Sequence, residues 1–322
     1  MSNPNPAAAR IALVLGATGG VGGETAAALA RHGWTIRALA RHPDAARTAH
    51  PDWTWIGGDV LDRDAVVAAA EGASLILHAV NPPGYRDWDR LVLPMIDNTI
   101  AAAHASGARI LLPGTVYNYG PDAGPLLHED LPQHPTTRKG AIRVELERRL
   151  SAACADGVRV LILRAGDYFG PRPGNNWFSQ GLVTPGKPVR TIAYPGKTGV
   201  GHAWAYLPDV AETFARLADI EAELEPFARY HFGGYWDADG TGMTDAIRRV
   251  APDKAKVSPM SWPLMSLIAP FNETVRELME MKPLWRRALR LDNRRLVACL
   301  GAEPHTPLDV AVKTSLEALG CV

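Results

Sequence analysis

"IALVLGATGGVGGETAAALARHG", residues 11–33, decides the fold. Residues 11–16 form a continuous apolar run that ends on glycine, which reads as a buried strand. ETAAALARHG (24–33) reads as a helix closed by Gly33. Between them Gly16, Gly19 and Gly22 fall in a G-x-x-G-x-x-G spacing. Glycines so placed allow a tight turn, a close backbone approach to pyrophosphate and a helix N-terminus aimed at the anion. A glycine triplet alone is a weak signal, since glycine-rich turns are common. Between a strand and a helix it points to a dinucleotide, with Gly16, Thr18, Gly19, Gly20, Val21 and Gly22 lining the phosphate site.

The same alternation continues outward. TIRALAR (35–41) reads as a strand, DAVVAAAEG (64–72) as a helix and SLILHAV (74–80) as a strand. NTIAAAHASG (98–107) reads as a helix and RILLPGTVY (109–117) as a strand, followed by a helix over 136–150 and a strand, RVLILRAG (159–166). Wholly apolar strands alternating with helices imply an α/β fold, a doubly wound parallel sheet of Rossmann type covered on both faces. Beyond Gly170, PRPGNNW, TPGKP and YPGKTGVGH read as loops, and 203–220 returns to strand then helix. The expected organisation is an NAD(P)-binding domain over 1–170, which the segment near 200–220 rejoins. A smaller substrate-binding lobe over 171–322 would close on it.

A chain of 322 residues with 47% hydrophobic content can bury a large core in one or two domains. The formal net charge of +0 provides no general field for nucleic acid or an anionic membrane. Arg286, Arg287, Arg290, Arg294 and Arg295 cluster with leucines between them, as on the solvated face of a helix. Cys154, Cys299 and Cys321 share no metal-ligand spacing, and their odd number suggests a reducing compartment without a disulfide framework. MSNPNPAAAR lacks the apolar core of a signal peptide, and no run approaches the roughly 18 apolar residues of a membrane span. The expectation is a cytoplasmic protein, monomer or homodimer, with no metal, no nucleic acid and a small-molecule substrate.

At the end of the second strand, an NAD-specific site would carry an acid for the ribose hydroxyls. This chain has Arg41 and then His42. A guanidinium can grip a 2′-phosphate in a bidentate manner, whereas a carboxylate would repel it. The expected cofactor is NADP, with NAD as the alternative; the bland reading makes Arg41 an ordinary surface arginine before Pro43.

Several segments in order resemble the short-chain dehydrogenase/reductase superfamily, in its extended or atypical branch of epimerases, dehydratases and reductases. GATGGVG (16–22) is similar to the family's glycine loop, and GDVLD (58–62) to its G-D-[LV]-x-D, so the resemblance places Asp59 and Val60 beside the adenine. HAVNPP (78–83) sits where the family has an N-A-A-G-like strand end, which puts Ala79, Val80 and Asn81 against the cofactor. GTVYNYG (114–120) resembles S-S-x-x-V-Y-G and places Thr115 at the catalytic Ser/Thr position. LRAGDYFGP (163–171) and YLPDVA (206–211) match later family segments.

The departure lies in TTRKGAIR (136–143), where the family's Tyr-x-x-x-Lys would fall and this chain has Lys139 and Arg143. Residues four apart on a helix share a face. In the family the tyrosine transfers a proton while the lysine lowers its pKa and holds the nicotinamide ribose. Arg143 could hold the ribose but cannot give up a proton. Lys139, partly desolvated beside Arg143, is one candidate acid. Tyr117, on the face of Thr115 if the strand persists, is another. The bland alternative makes Arg143–Glu147 and Glu145–Arg149 ordinary helix-surface pairs. Gly140 within the helix suggests that something approaches closely there. The resemblance places substrate contacts at Tyr168, Asn175, Asn176 and Trp177; His202 and Trp204 are further candidates to line the cleft.

Two functions follow. One is an NAD(P)-dependent oxidoreductase or epimerase/dehydratase-like enzyme with altered proton-transfer groups, acting on a small carbonyl or hydroxyl compound or a sugar nucleotide. The other is a non-catalytic NADP-binding sensor. A hydrolase has no support, because no Gly-x-Ser-x-Gly and no His/Asp metal cluster occurs.

Overall fold

The computed structural model describes residues 10–82, 87–172, 174, 176–251 and 255–322. In chain order, β1 (Ile11–Leu15), α1 (Gly20–Arg31), β2 (Thr35–Ala40), α2 (Asp44–Ala49), β3 (Thr54–Gly57) and α3 (Arg63–Ala69) form the first part of the domain. β4 (Leu75–His78), α4 (Trp88–Ser106), β5 (Arg109–Gly114), β6 (Leu126–Leu127), α5 (Arg138–Cys154) and β7 (Arg159–Arg164) follow. Next come β8 (Asp167–Phe169), β9 (Thr191–Tyr194), β10 (His202–Tyr206), α6 (Leu207–Asp219), β11 (Phe227–His231) and β12 (Tyr235–Asp237). The chain ends with α7 (Gly242–Val250), β13 (Lys256–Pro259), α8 (Trp262–Ile268), α9 (Glu273–Met279), β14 (Arg290–Leu291), α10 (Arg294–Leu300) and α11 (Leu308–Ala318).

Seven strands form one parallel sheet in the order β11-β7-β5-β4-β1-β2-β3. Their apolar runs are buried on both faces, which only a sheet covered by helices on each side permits. One face packs Ala26, Leu29, Val210 and Phe214 of α1 and α6. The other packs Val66, Ile96, Leu146 and Leu150 of α3, α4 and α5. Strand order reverses between β1 and β4, and a crevice opens there at the C-terminal strand ends. The segment that rejoins the sheet extends past the expected 200–220, because β11 pairs with β7 as its edge strand.

A separate aromatic core fills the lobe. Phe169, Trp177, Phe178, Tyr194, Trp204 and Trp285 pack there against α7 and α11. A three-stranded sheet, β12-β10-β8, links this core to the main sheet through the short gap between β7 and β8.

Three local expectations need correction. The helix expected over 98–107 begins at Trp88 and runs through Pro94, whose punctuating effect on the pattern hid its first half. The arginine cluster is spread over the bend that follows a helical turn (Lys282–Trp285), β14 and α10 rather than lying on one helix; Arg294 pairs with Asp292 and Arg295 with Asp130. The strand expected to reach Tyr117 stops at Gly114, and Val116–Asn118 forms a single 3₁₀ turn. A buried polar hub imposes that turn. Asn118 Nδ2 donates to Glu147 Oε1 (2.9 Å) and Gln133 Oε1 (3.0 Å), and Arg164 pairs with Glu147 (2.8 Å) while donating to the Thr115 carbonyl. Thr115 and Tyr117 consequently do not share a strand face, and Tyr119 turns into the core at 2% exposure.

Candidate active site

The β1–α1 turn has the shape a pyrophosphate needs. Gly16 adopts φ +93°, a left-handed conformation that side chains disfavour, and a Cβ there would lie 2.5 Å from the Ala79 carbonyl oxygen. A Cβ on Gly22 would lie 2.1 Å from the Gly16 oxygen, so Gly22 lets helix and turn touch. The N-cap of α1 is Gly19, without a side-chain cap, which leaves the first-turn N–H groups facing the crevice.

Two adjoining cavities run along the crevice and share Gly19, Ala79, Val80 and Asn81. The first, about 400 Å³, is lined by Gly16, Thr18, Gly19, Arg41, His42, Asp59 and Val60 among others. Arg41 and His42 are exposed at its rim. Asp59 is the one carboxylate lining it among the described residues, and its Oδ1 accepts from Leu61 N at 3.0 Å. The run of glycine turn, bare helix N-terminus and adjoining cavities fits a dinucleotide laid across the switch point of the sheet.

The second cavity, about 350 Å³, is lined by Gly20, Val21, Asn81, Thr115, Tyr117, Arg143, Tyr168 and Asn176, together with His78 and Trp88. Thr115 Oγ1 donates to Asn118 Oδ1 (2.9 Å), an orientation fixed because Asn118 Nδ2 is held by two acceptors. Its lone pairs are left for the cavity, where Thr115 serves as an acceptor. Arg143 reaches Asn81 Oδ1 at 2.6 Å, and its guanidinium carbon stands 5.0 Å from the Trp88 ring centroid. It makes no pair with Glu147, which belongs to the hub, whereas Glu145–Arg149 is an i,i+4 pair at 2.9 Å. Gly140 admits the Tyr117 carbonyl oxygen, which would be 2.2 Å from a Cβ there.

Lys139 lies elsewhere. It is fully buried, is absent from the cavity lining, and its ammonium pairs with Glu277 and with Glu280 (2.7 Å). Its backbone N–H also donates to Glu280, at 2.8 Å, and Arg138 grips Glu277 at 3.0 Å. A segment beyond α8 therefore locks the start of α5, and the expected acid is spent on that lock. Trp177 is corrected too: it is 6% exposed and packs edge-on to Trp285 (5.4 Å) in the lobe core. His202 stacks on Trp285 (3.9 Å), and its Nε2 meets Asp167 Oδ2 at 2.7 Å. Trp204 is 1% exposed, so both belong to the core. Asn176 lines the cavity while its Oδ1 accepts from Ser179 N (2.8 Å). Asn175 lies outside the described residues.

Two cavity groups behave unusually. The Tyr168 hydroxyl is buried without a hydrogen-bond partner among the described residues, and burial pushes its pKa far up despite Arg143 and Arg164 nearby. His78, which the sequence reading passed over, has its pKa lowered to about 3, first by burial and then by the charge of Arg143. Thr99 Oγ1 donates to the Met95 carbonyl (3.1 Å), so it accepts from His78 Nδ1 (2.8 Å) and leaves Nε2 as the acceptor. The position of His78 at the end of an apolar strand, directly before Ala79, was the available signal.

Residues 12–230 match the family described as "NAD dependent epimerase/dehydratase family". Among solved structures, the UDP-glucose 4-epimerase from Brucella ovis in complex with NAD superposes with a TM-score of 0.76, 17% identity, and coverage of 98% of this chain and 99% of that one. The UDP-glucuronic acid 4-epimerase from Bacillus cereus in complex with NAD gives 0.72, 14% identity and 96% coverage of each chain. At such identities the likeness is one of fold. A curated relative from a Streptomyces species, a 3-diazoavenalumate denitrifying reductase, is 31% identical over 183 residues, covering 50% of this chain. The match spans 57% of that relative's length.

Proposed function

The chain belongs to the NAD-dependent epimerase/dehydratase family and is an NAD(P)-dependent enzyme; from that premise we propose that it is an NADP-dependent reductase of a small carbonyl compound. The observation that carries this reading is the size of the second cavity. At about 350 Å³ it sits near the lower end of the usual range for ligand pockets, and it must hold the nicotinamide riboside as well as the substrate. On the lobe side, the cavities at Leu284 and Arg287 hold only about 20 and 10 Å³. That room suits a small acceptor rather than a sugar nucleotide. The reductase named among the relatives supports the same direction.

The preference for NADP rests on Arg41 and His42 at the rim of the first cavity, where the sole lining carboxylate among the described residues, Asp59, is engaged with Leu61. When bound, the dinucleotide supplies hydride. The chain's own residues do the rest: Gly20 and Val21 face the pyrophosphate end, Arg143 and Asn81 hold the ribose, and Thr115 offers an acceptor to an N–H or O–H of the bound ligand. The test follows NADPH consumption by fluorescence with benzaldehyde, acetaldehyde and cyclohexanone, and in parallel the conversion of UDP-glucose to an epimer or keto-sugar with NAD⁺, read by chromatography. Turnover with a small carbonyl and none with UDP-glucose is expected. Turnover with UDP-glucose alone would transfer the chain to sugar-nucleotide chemistry.

A further inference from the structure

We propose that Tyr168 is the proton donor, so that the phenol and cation the family carries on one helix are supplied here by β8 and α5. The inference rests on the reductase reading above. Side chains alternate along a strand. On β8, Asp167 turns to His202, and Phe169 packs among Phe178, Trp204 and Tyr206 in the lobe core. Tyr168, between them, is turned the other way and lines the second cavity with Thr115 and Arg143. Pairing with Ala205 of β10 fixes its backbone.

The hydroxyl is buried and has no partner among the described residues. A buried donor without an acceptor is costly, and the cost is relieved when a ligand oxygen fills the gap. The competing groups are committed elsewhere. Lys139 is held by Glu277 and Glu280, and Tyr119 faces His231 in the core. Tyr117 lines the same cavity but packs at the seam between the lobe core and the α4–α5 face, and serves as the comparison residue.

The carbonyl carbon gains hydride with its electron pair, the C=O π pair moves to oxygen, and that oxygen takes the proton from Tyr168 Oη. An alkoxide is a stronger base than any phenolate, so a phenol kept neutral by burial is still acid enough. The positive charges of Arg143 and Arg164 nearby favour the resulting phenolate, which regains its proton from solvent.

The experiment compares Tyr168→Phe, Tyr117→Phe and wild type with NADPH and benzaldehyde, together with a crystal structure of the NADP⁺ complex. Tyr168→Phe is expected to lose about 100-fold or more in kcat while keeping NADPH affinity within about threefold. Tyr117→Phe should lose at least tenfold less kcat than Tyr168→Phe. A Tyr168→Phe variant that turns over like wild type overturns the proposal. If wild type reduces no carbonyl, the reductase reading fails separately, and the complex decides for Tyr168. Oη open to the space over the nicotinamide ring and within about 3.2 Å of an ordered oxygen there upholds it as a donor; Oη covered or turned into the core removes it.

Discussion

Lys139 Nζ stands 2.7 Å from Glu280 Oε2 and pairs also with Glu277, while Arg143, one turn along the same helix, reaches Asn81 on the cavity. Two cations spaced four apart thus serve different ends: one locks the lobe onto α5 and the other faces the cofactor crevice.

Lys139→Met should act on stability. Removing the ammonium leaves Glu277 with Arg138 alone and takes the cation from the partly exposed Glu280, which costs about 1–3 kcal/mol. Glu277 and Glu280 would be left facing the apolar Met side chain. Urea unfolding should show the loss, with NADPH affinity retained. A variant as stable as wild type that has lost turnover would return Lys139 to the chemistry.

Lys139 is held by residues that no local pattern connects to α5. The glycine turn and the alternating elements were legible, because local spacing and burial set them; Asp59, Ala79 and Thr115 were pointed to by the family resemblance, and they line the crevice. The lock on Lys139 was not legible, because Glu277 and Glu280 lie far along the chain and nothing local links them to α5. Trp177 was misplaced for the same reason: its partner, Trp285, comes from a distant turn. The 3₁₀ turn at Val116–Asn118 depends on Glu147 and Arg164, which only the assembled hub brings to Asn118.

Arg41→Asp should weaken NADPH binding by about tenfold or more, since a charge-assisted hydrogen bond to phosphate contributes about 1.5–3 kcal/mol. NADH binding should be unchanged or improved. Isothermal titration with both cofactors decides it, and equal losses for the two would show that Arg41 supports the loop rather than the 2′-phosphate.

Thr115→Ala should lower turnover by about tenfold and leave NADPH affinity nearly intact, with Thr115→Ser restoring most of the rate. Collapse of cofactor binding in the Ala variant would mark Thr115 as a prop for the Asn118 turn.

Acid should destabilise the protein through His78. Its folded pKa, about 3, lies below the ordinary value of 6.5, so the unfolded chain binds the extra proton between those limits. Stability contributed by the neutral ring is present above pH 6.5 and falls as pH drops toward 3. The slope is about 1.4 kcal/mol per pH unit for one histidine. His78→Gln should flatten the fall of Tm over that window relative to wild type; an identical slope would mean that His78 titrates normally.

The measurement closest to the central claim follows the hydride itself. NADPH deuterated at C4 is incubated with the protein and benzaldehyde, and the benzyl alcohol is analysed for deuterium. One deuterium is expected at the alcohol carbon, with a matching loss of NADPH fluorescence. Tight NADPH binding without deuterium in any product of the carbonyl panel would contradict it and leave the protein as a dinucleotide sensor.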